Sequence, residues 1–148
     1  MRALLLCCGL ALALGGCPLS PKPQPVKPRP QLNPDWPANY RTWKKVNATT
    51  ILNEDEEVAR EIYSNGTPGL GQGTVLVKEQ YALANGAKGP LQFVAVMRRT
   101  GGSANNGWEF LAFDPRTKKK NEEAGKTCVG CHSLRASQDY LYTAKDKL

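Results

Sequence analysis

Thr74-Val75-Leu76-Val77-Lys78-Glu79-Gln80-Tyr81 is rich in β-branched and aromatic residues, the composition of a β-strand. Leu91 to Arg98 repeats that character, and Trp108 to Phe113 is a third short apolar run. Asn85-Gly86 and Gly101-Gly102 punctuate between them. Three strands with short polar connections predict an antiparallel sheet built of hairpins or a meander. Side chains alternate along a strand, so Lys78 and Glu79 are expected on opposite faces.

Working outward, Gly66 to Gly73 holds four glycines and one proline and must be loop. No Lys-Ser or Lys-Thr opening a helix follows it, which excludes a phosphate-binding loop. Val58 to Ser64 fits either helix or strand. Asn39 through Val46 spaces Tyr40, Trp43 and Val46 three apart behind an asparagine, predicting a short capped helix with its apolar stripe on the core. After Asp114-Pro115 the chain turns polar and helix-forming around Glu122 to Lys126, and Tyr140 to Thr143 closes it as a strand or tail. The expected class is α+β, an antiparallel sheet with a few short helices and no internal repeat.

The first residues are Met1-Arg2 followed by the apolar Ala3 to Leu14, the pattern of an export leader and too short to span a bilayer at ~20 apolar residues. Leu14-Gly15-Gly16-Cys17 resembles the lipobox of bacterial lipoproteins, the alternative being an ordinary secretory signal with an incidental cysteine. On the first reading residues 1–16 are removed and Cys17 carries the acyl chains, two or three of which anchor a protein where one is marginal. Residues 17–35 form a tether, since Pro18 to Pro37 carries eight prolines, and such chains extend by ~3.1 Å per residue. Residues 36–148 form the folded domain, held at the membrane and facing the periplasm or cell exterior.

The formal charge of +7 is moderate and dispersed, without the basic stripe interleaved with aromatics that nucleic-acid binding needs. Arg116 to Lys120 reads as a solvated loop or as a docking face for an acidic redox partner or anionic lipid. Of the five cysteines, Cys7 and Cys8 leave with the leader and Cys17 is lipidated, so Cys128 and Cys131 alone remain in an oxidising compartment.

Cys128-Val129-Gly130-Cys131-His132 is the c-type haem signature. Two thiols one helical turn apart can add to the two vinyl groups of a porphyrin, and the histidine after them can ligate the iron. A zinc site needs four ligands, and the domain has no other histidine or cysteine. A thioredoxin-like pair expects an adjacent βαβ unit, whereas this pair follows an antiparallel sheet. One covalent haem c is expected, with His132 as its proximal ligand. His132 is the only histidine, and the only methionine beyond the leader, Met97, lies in an apolar strand where core packing is the ordinary role. The economical reading is therefore a five-coordinate iron with an open face. The motif's position and the missing methionine downstream exclude the small all-helical electron carriers, and the strands exclude the four-helix cytochrome c′.

Tyr40-Arg41-Thr42-Trp43-Lys44-Lys45-Val46, Gly73 to Glu79, Trp108 to Asp114, Cys128 to His132 and Asp139-Tyr140-Leu141-Tyr142-Thr143, in that order, resemble the cytochrome P-460 family with its cytochrome c′-beta relatives. The resemblance implies an α+β haem domain, usually a homodimer, with a five-coordinate haem. In the family's enzymes a lysine is bonded to the porphyrin, and Lys78 matches it; a solvent-facing lysine is the alternative. The enzymes also move protons with a distal carboxylate, for which Glu122 or Glu123 is best placed by sequence and Glu109 is an outside candidate. One or two of Phe93, Trp108, Phe110 and Phe113 are expected to line the distal face. Two functions follow from the resemblance. One is oxidation of hydroxylamine or processing of nitric oxide, with electrons passed to a partner cytochrome. The other is non-catalytic binding of nitric oxide or carbon monoxide. An electron carrier ligated by Met97 is a third reading.

Overall fold

A computed structural model of the chain describes residues 35–47, 50–53, 56–143 and 148. The expected leader, Cys17 and the proline-rich stretch through Pro34 lie outside these residues.

Six strands form one antiparallel sheet: β1 (Lys44–Lys45), β2 (Ile51–Asn53), β3 (Val58–Ser64), β4 (Val75–Ala84), β5 (Ala87–Arg99) and β6 (Trp108–Phe113). They run in the order β1-β3-β4-β5-β6, with β2 also paired to β3. One α-helix, α1 (Glu122–Ser133), follows the sheet. The architecture is the α+β class expected, with more strand than the sequence announced. Val58–Ser64, open between helix and strand on its own, is a strand because β4 offers it seven paired positions and because its alternation buries Ala59, Glu61 and Tyr63 on one face. Asn85-Gly86 closes β4 onto β5 with both residues at positive φ, the geometry of a two-residue hairpin turn. Gly89-Pro90 falls inside β5 where the register to β4 slips, an irregularity that accommodates the missing proline donor.

One local expectation needs correction. Asn39 does not cap a helix with its side chain; it sits in the left-handed region at φ 57°, and only a 3-10 turn, Tyr40–Thr42, forms before the chain extends into β1. Pairing with Ser64 and Tyr63 draws Lys44 and Lys45 into the sheet in place of further helix. Of the two readings open for Tyr140 to Thr143, the chain takes the tail.

The sheet has two buried faces. On one, Tyr63, Val77, Val94, Val96, Leu111 and Phe113 pack against Tyr40 and the half-buried Trp36 and Trp43. On the other, Leu76, Met97, Trp108 and Phe110 pack with Leu70, Leu141 and the half-buried Cys128 and Val129 of α1. Burial of such side chains contributes roughly 1.5–3 kcal/mol each. The second face carries the cavity.

Candidate haem site

Asn121 caps α1 by accepting a hydrogen bond from the Ala124 amide at 3.0 Å, and Glu122 and Glu123 place negative charge in the first turn, where the helix dipole favours it. The helix packs on β6, with the buried Gly125 against the Phe110 carbonyl. Its last two turns carry Cys128, Cys131 and His132 to the wall of a cavity of about 570 Å³. That volume is within the ~300–1,000 Å³ usual for cofactor and ligand pockets.

The cavity floor follows from sheet register. Ile62 on β3 stands opposite Lys78 on β4, Lys78 opposite Ala95 on β5, Arg60 opposite Gln80, and Gln80 opposite Phe93. Directly paired residues share a face, so one row of alternate positions lines the cavity while Glu61, Glu79 and Val94 go to the other side. Lys78 and Glu79 do point to opposite faces. The Lys78 ammonium lies 5.4 Å from the centre of the Phe93 ring and has no hydrogen bond or ion pair among the described residues. Burial pushes its pKa down, and the charge of Arg60 adds to the effect.

The imidazole is held from behind. His132 Nδ1 lies 2.6 Å from the Tyr140 carbonyl oxygen. A carbonyl only accepts, so Nδ1 carries the proton and the Nε2 lone pair is left for a ligand. Phe110 and Tyr142 flank the ring, each centroid 5.1 Å away. Burial lowers the His132 pKa, the bond to Tyr140 opposes this, and the charge of Lys78 reinforces it. The carbonyl is positioned by a sharp reversal in which Asp139 and Tyr140 both take positive φ, a conformation that costs non-glycine residues energy. The Asp139 carboxylate pins that turn, accepting from Arg99 at 2.8 Å, Asn106 at 2.6 Å and Trp108 Nε1 at 3.4 Å.

Sequence candidates are thus only partly assembled. Lys78, Cys128, Cys131 and His132 line one cavity, together with Phe93, Phe110 and Met97. Glu122 and Glu123 do not; they are exposed and paired with Lys120 and Lys126. Glu109 pairs with Arg98 at 2.7 Å and is likewise outside the lining. Phe113 packs in the opposite core and Trp108 beside the cavity without lining it. Among the described residues the acidic side chain in the cavity wall is Glu56, ion-paired with Arg60 of the same wall. Neither residue was singled out from sequence. Once Val58–Ser64 is read as a strand, the alternation of Arg60 and Ile62 against Ala59, Glu61 and Tyr63 is the signal that would have found Arg60.

The donor set suits haem c. Cys128 and Cys131 are free thiols. They lie one turn apart on a helix beside an imidazole of fixed tautomer, in an otherwise largely apolar cavity. Among the described residues no cluster of three or more His, Cys, Asp or Glu offers an alternative metal site. No curated protein matches the chain. The Cytochrome P460 family profile matches residues 37–143, from the start of the folded domain to the tail that holds His132. The chain belongs to the cytochrome P460 family, and with it to the haem-binding cytochromes.

Proposed function

We propose that this chain is an exported mono-haem c oxidoreductase that oxidises hydroxylamine or processes nitric oxide. The observation that carries the reading is Lys78, the residue the family resemblance marks for attachment to the porphyrin. Its amine enters the same cavity as Cys128, Cys131 and His132 without a polar partner among the described residues. Haem c bound there supplies a one-electron centre whose iron can take up a small nitrogenous ligand. Cys128 and Cys131 would hold the haem, each S–H adding across one vinyl group to leave a thioether. His132 offers Nε2 while Tyr140 holds its other nitrogen. Met97 packs among Leu70, Leu76, Trp108 and Phe110, which supports a core role for it and would leave the iron of a bound haem open to a substrate. Glu56 is the cavity carboxylate available to accept protons from a bound substrate, in the role first assigned to Glu122 or Glu123. Electrons leave to a partner cytochrome, for which the basic run Arg116 to Lys120 is a docking candidate. A lipid on Cys17 holds the domain at the membrane, and the domain works as a homodimer.

A second reading, reversible binding of nitric oxide or carbon monoxide, is favoured by the apolar lining of Leu76, Phe93, Ala95 and Phe110, which suits a neutral diatomic. Peptide mass mapping of the purified holoprotein separates the two. If Lys78 is bonded to the porphyrin, one haem ties the peptide containing Lys78 to that containing Cys128 and Cys131. The ferrous absorption then lies far to the red of ordinary haem c, and Lys78→Ala restores the ordinary spectrum and abolishes hydroxylamine turnover. Haem found on the cysteine peptide alone, with a plain haem c spectrum, transfers the assignment to the gas binder. Haem extracted by acid acetone removes both.

A further inference from the structure

Arg60 lines the cavity and carries a buried donor that no described residue satisfies. Its Nε is buried and has no hydrogen-bond partner among the described residues, while Nη2 pairs with Glu56. An unsatisfied buried donor costs roughly 1–3 kcal/mol, and more when it belongs to a charged group. A guanidinium presents Nε and the neighbouring Nη2 as parallel donors matched to a carboxylate; Glu56 takes one hydrogen of Nη2 and leaves the Nε half of that edge open.

Two further observations point the same way. Among the described side chains of the wall, Arg60 and Lys78 stand with one carboxylate, Glu56; α1 brings Cys128, Cys131 and His132 but no acid, since Glu122 and Glu123 are turned to solvent. Arg60 also stands on β3, three strands from β6, against which α1 packs. At ~4.8 Å per strand that is roughly 14 Å across the sheet. A tetrapyrrole has its vinyl groups on one edge and two propionate carboxylates on another, so groups at both ends of the cavity are needed to hold it.

We propose that Arg60 anchors a carboxylate of the bound tetrapyrrole through its guanidinium, with Nε as the open donor and Glu56 sharing Nη2 or released from it. The inference rests on the haem reading of the cavity. It assigns Arg60 a positioning role toward the cofactor, opposite the thioether end, and predicts that the carboxylate stays ionised to lower pH than it would without its cation.

The test is the midpoint potential of the holoprotein as a function of pH, with haem retention under acid acetone as the control for the underlying reading. Ionisation of a porphyrin carboxylate gives an acid-side break in that curve, and a cation within contact lowers a carboxyl pKa by ~1–3 units. Arg60→Leu should move the break upward by about that amount, Arg60→Lys should move it less, and Glu56→Gln should leave it in place or lower it. An unmoved break in Arg60→Leu overturns the proposal. So does a break that disappears in Glu56→Gln, because it would then belong to Glu56. If Arg60→Leu does not fold, Arg60→Lys decides, since a point charge without the fork must still raise the break, and an unmoved one counts against. Native protein that loses its haem to acid acetone fails the parent reading as well.

Discussion

On the face of the sheet turned from the cavity, Glu61 and Glu79 stand directly opposite each other on β3 and β4, an arrangement that is destabilising for bare carboxylates. Both are fully served. Glu79, wholly buried, accepts from Tyr40, Tyr81 and Arg41; Glu61 accepts from Lys45, Lys88, Thr50 and, at 3.0 Å, the one hydrogen of the Tyr63 hydroxyl, which lies 3.4 Å from Glu79. One residue along the same strands, on the cavity face, Lys78 stands over the Phe93 ring with no hydrogen-bond or ion-pair partner among the described residues, and Arg60 has an empty Nε. The same two strands therefore carry a completed polar network on one side and an incomplete one on the other. Completed networks hold a fold together, while incomplete ones at a cavity wait for a ligand.

The largest effect that would expose this difference is in Glu79→Ala. It leaves Arg41 and the buried tyrosine hydroxyls without their shared acceptor and should cost about 3–5 kcal/mol in urea unfolding. The expected haem spectrum of the folded fraction is unchanged. A cost under ~1 kcal/mol would mean that the far face is no more complete than the near one.

Acid titration sharpens the same contrast. Burial alone would raise the Glu61 carboxyl, but hydrogen bonds from Lys45, Lys88, Thr50 and Tyr63 outweigh it and bring the pKa down to about 2. Burial opposes Glu79 as well, and Tyr40, Tyr81 and Arg41 together hold it below the ordinary range. Both groups bind protons more weakly in the folded chain than in the unfolded one. Their contribution is therefore complete above roughly pH 4.5 and disappears as pH falls toward 2. Urea midpoints measured across that window should fall steeply, and Glu61→Gln should flatten the slope. A flat profile in the native protein would dissolve the distinction.

Met97→Leu should have the smallest effect. Met97 fills apolar space on the cavity face, and a near-isosteric replacement costs under ~1.5 kcal/mol. The resting spectrum should stay high-spin. A low-spin spectrum that becomes high-spin on substitution would make Met97 an iron ligand and turn the cavity face into a closed site.

Much of this was legible from residues alone because it depends on short-range chemistry. Cys128, Cys131 and His132 state their joint purpose in five consecutive positions, and strand alternation separates Lys78 from Glu79 without any knowledge of what lies on either side. The β4 and β5 hairpin is likewise written in Asn85-Gly86. The tertiary structure decided what depends on pairing between distant segments. Val58–Ser64 became a strand only through its register with β4, and that register turned Arg60 toward the cavity and, with Glu56 just ahead of the strand, formed its ion pair. Glu122 and Glu123, near the haem motif in sequence, were taken outward by the rotation of a capped helix, where its N-terminal dipole accounts for them. The carbonyl behind His132 could not be named in advance either, because a left-handed turn at Asp139 and Tyr140 holds only when Arg99, Asn106 and Trp108 converge on one carboxylate. Motifs report which atoms can react; only the fold of the sheet determines which of them share a cavity.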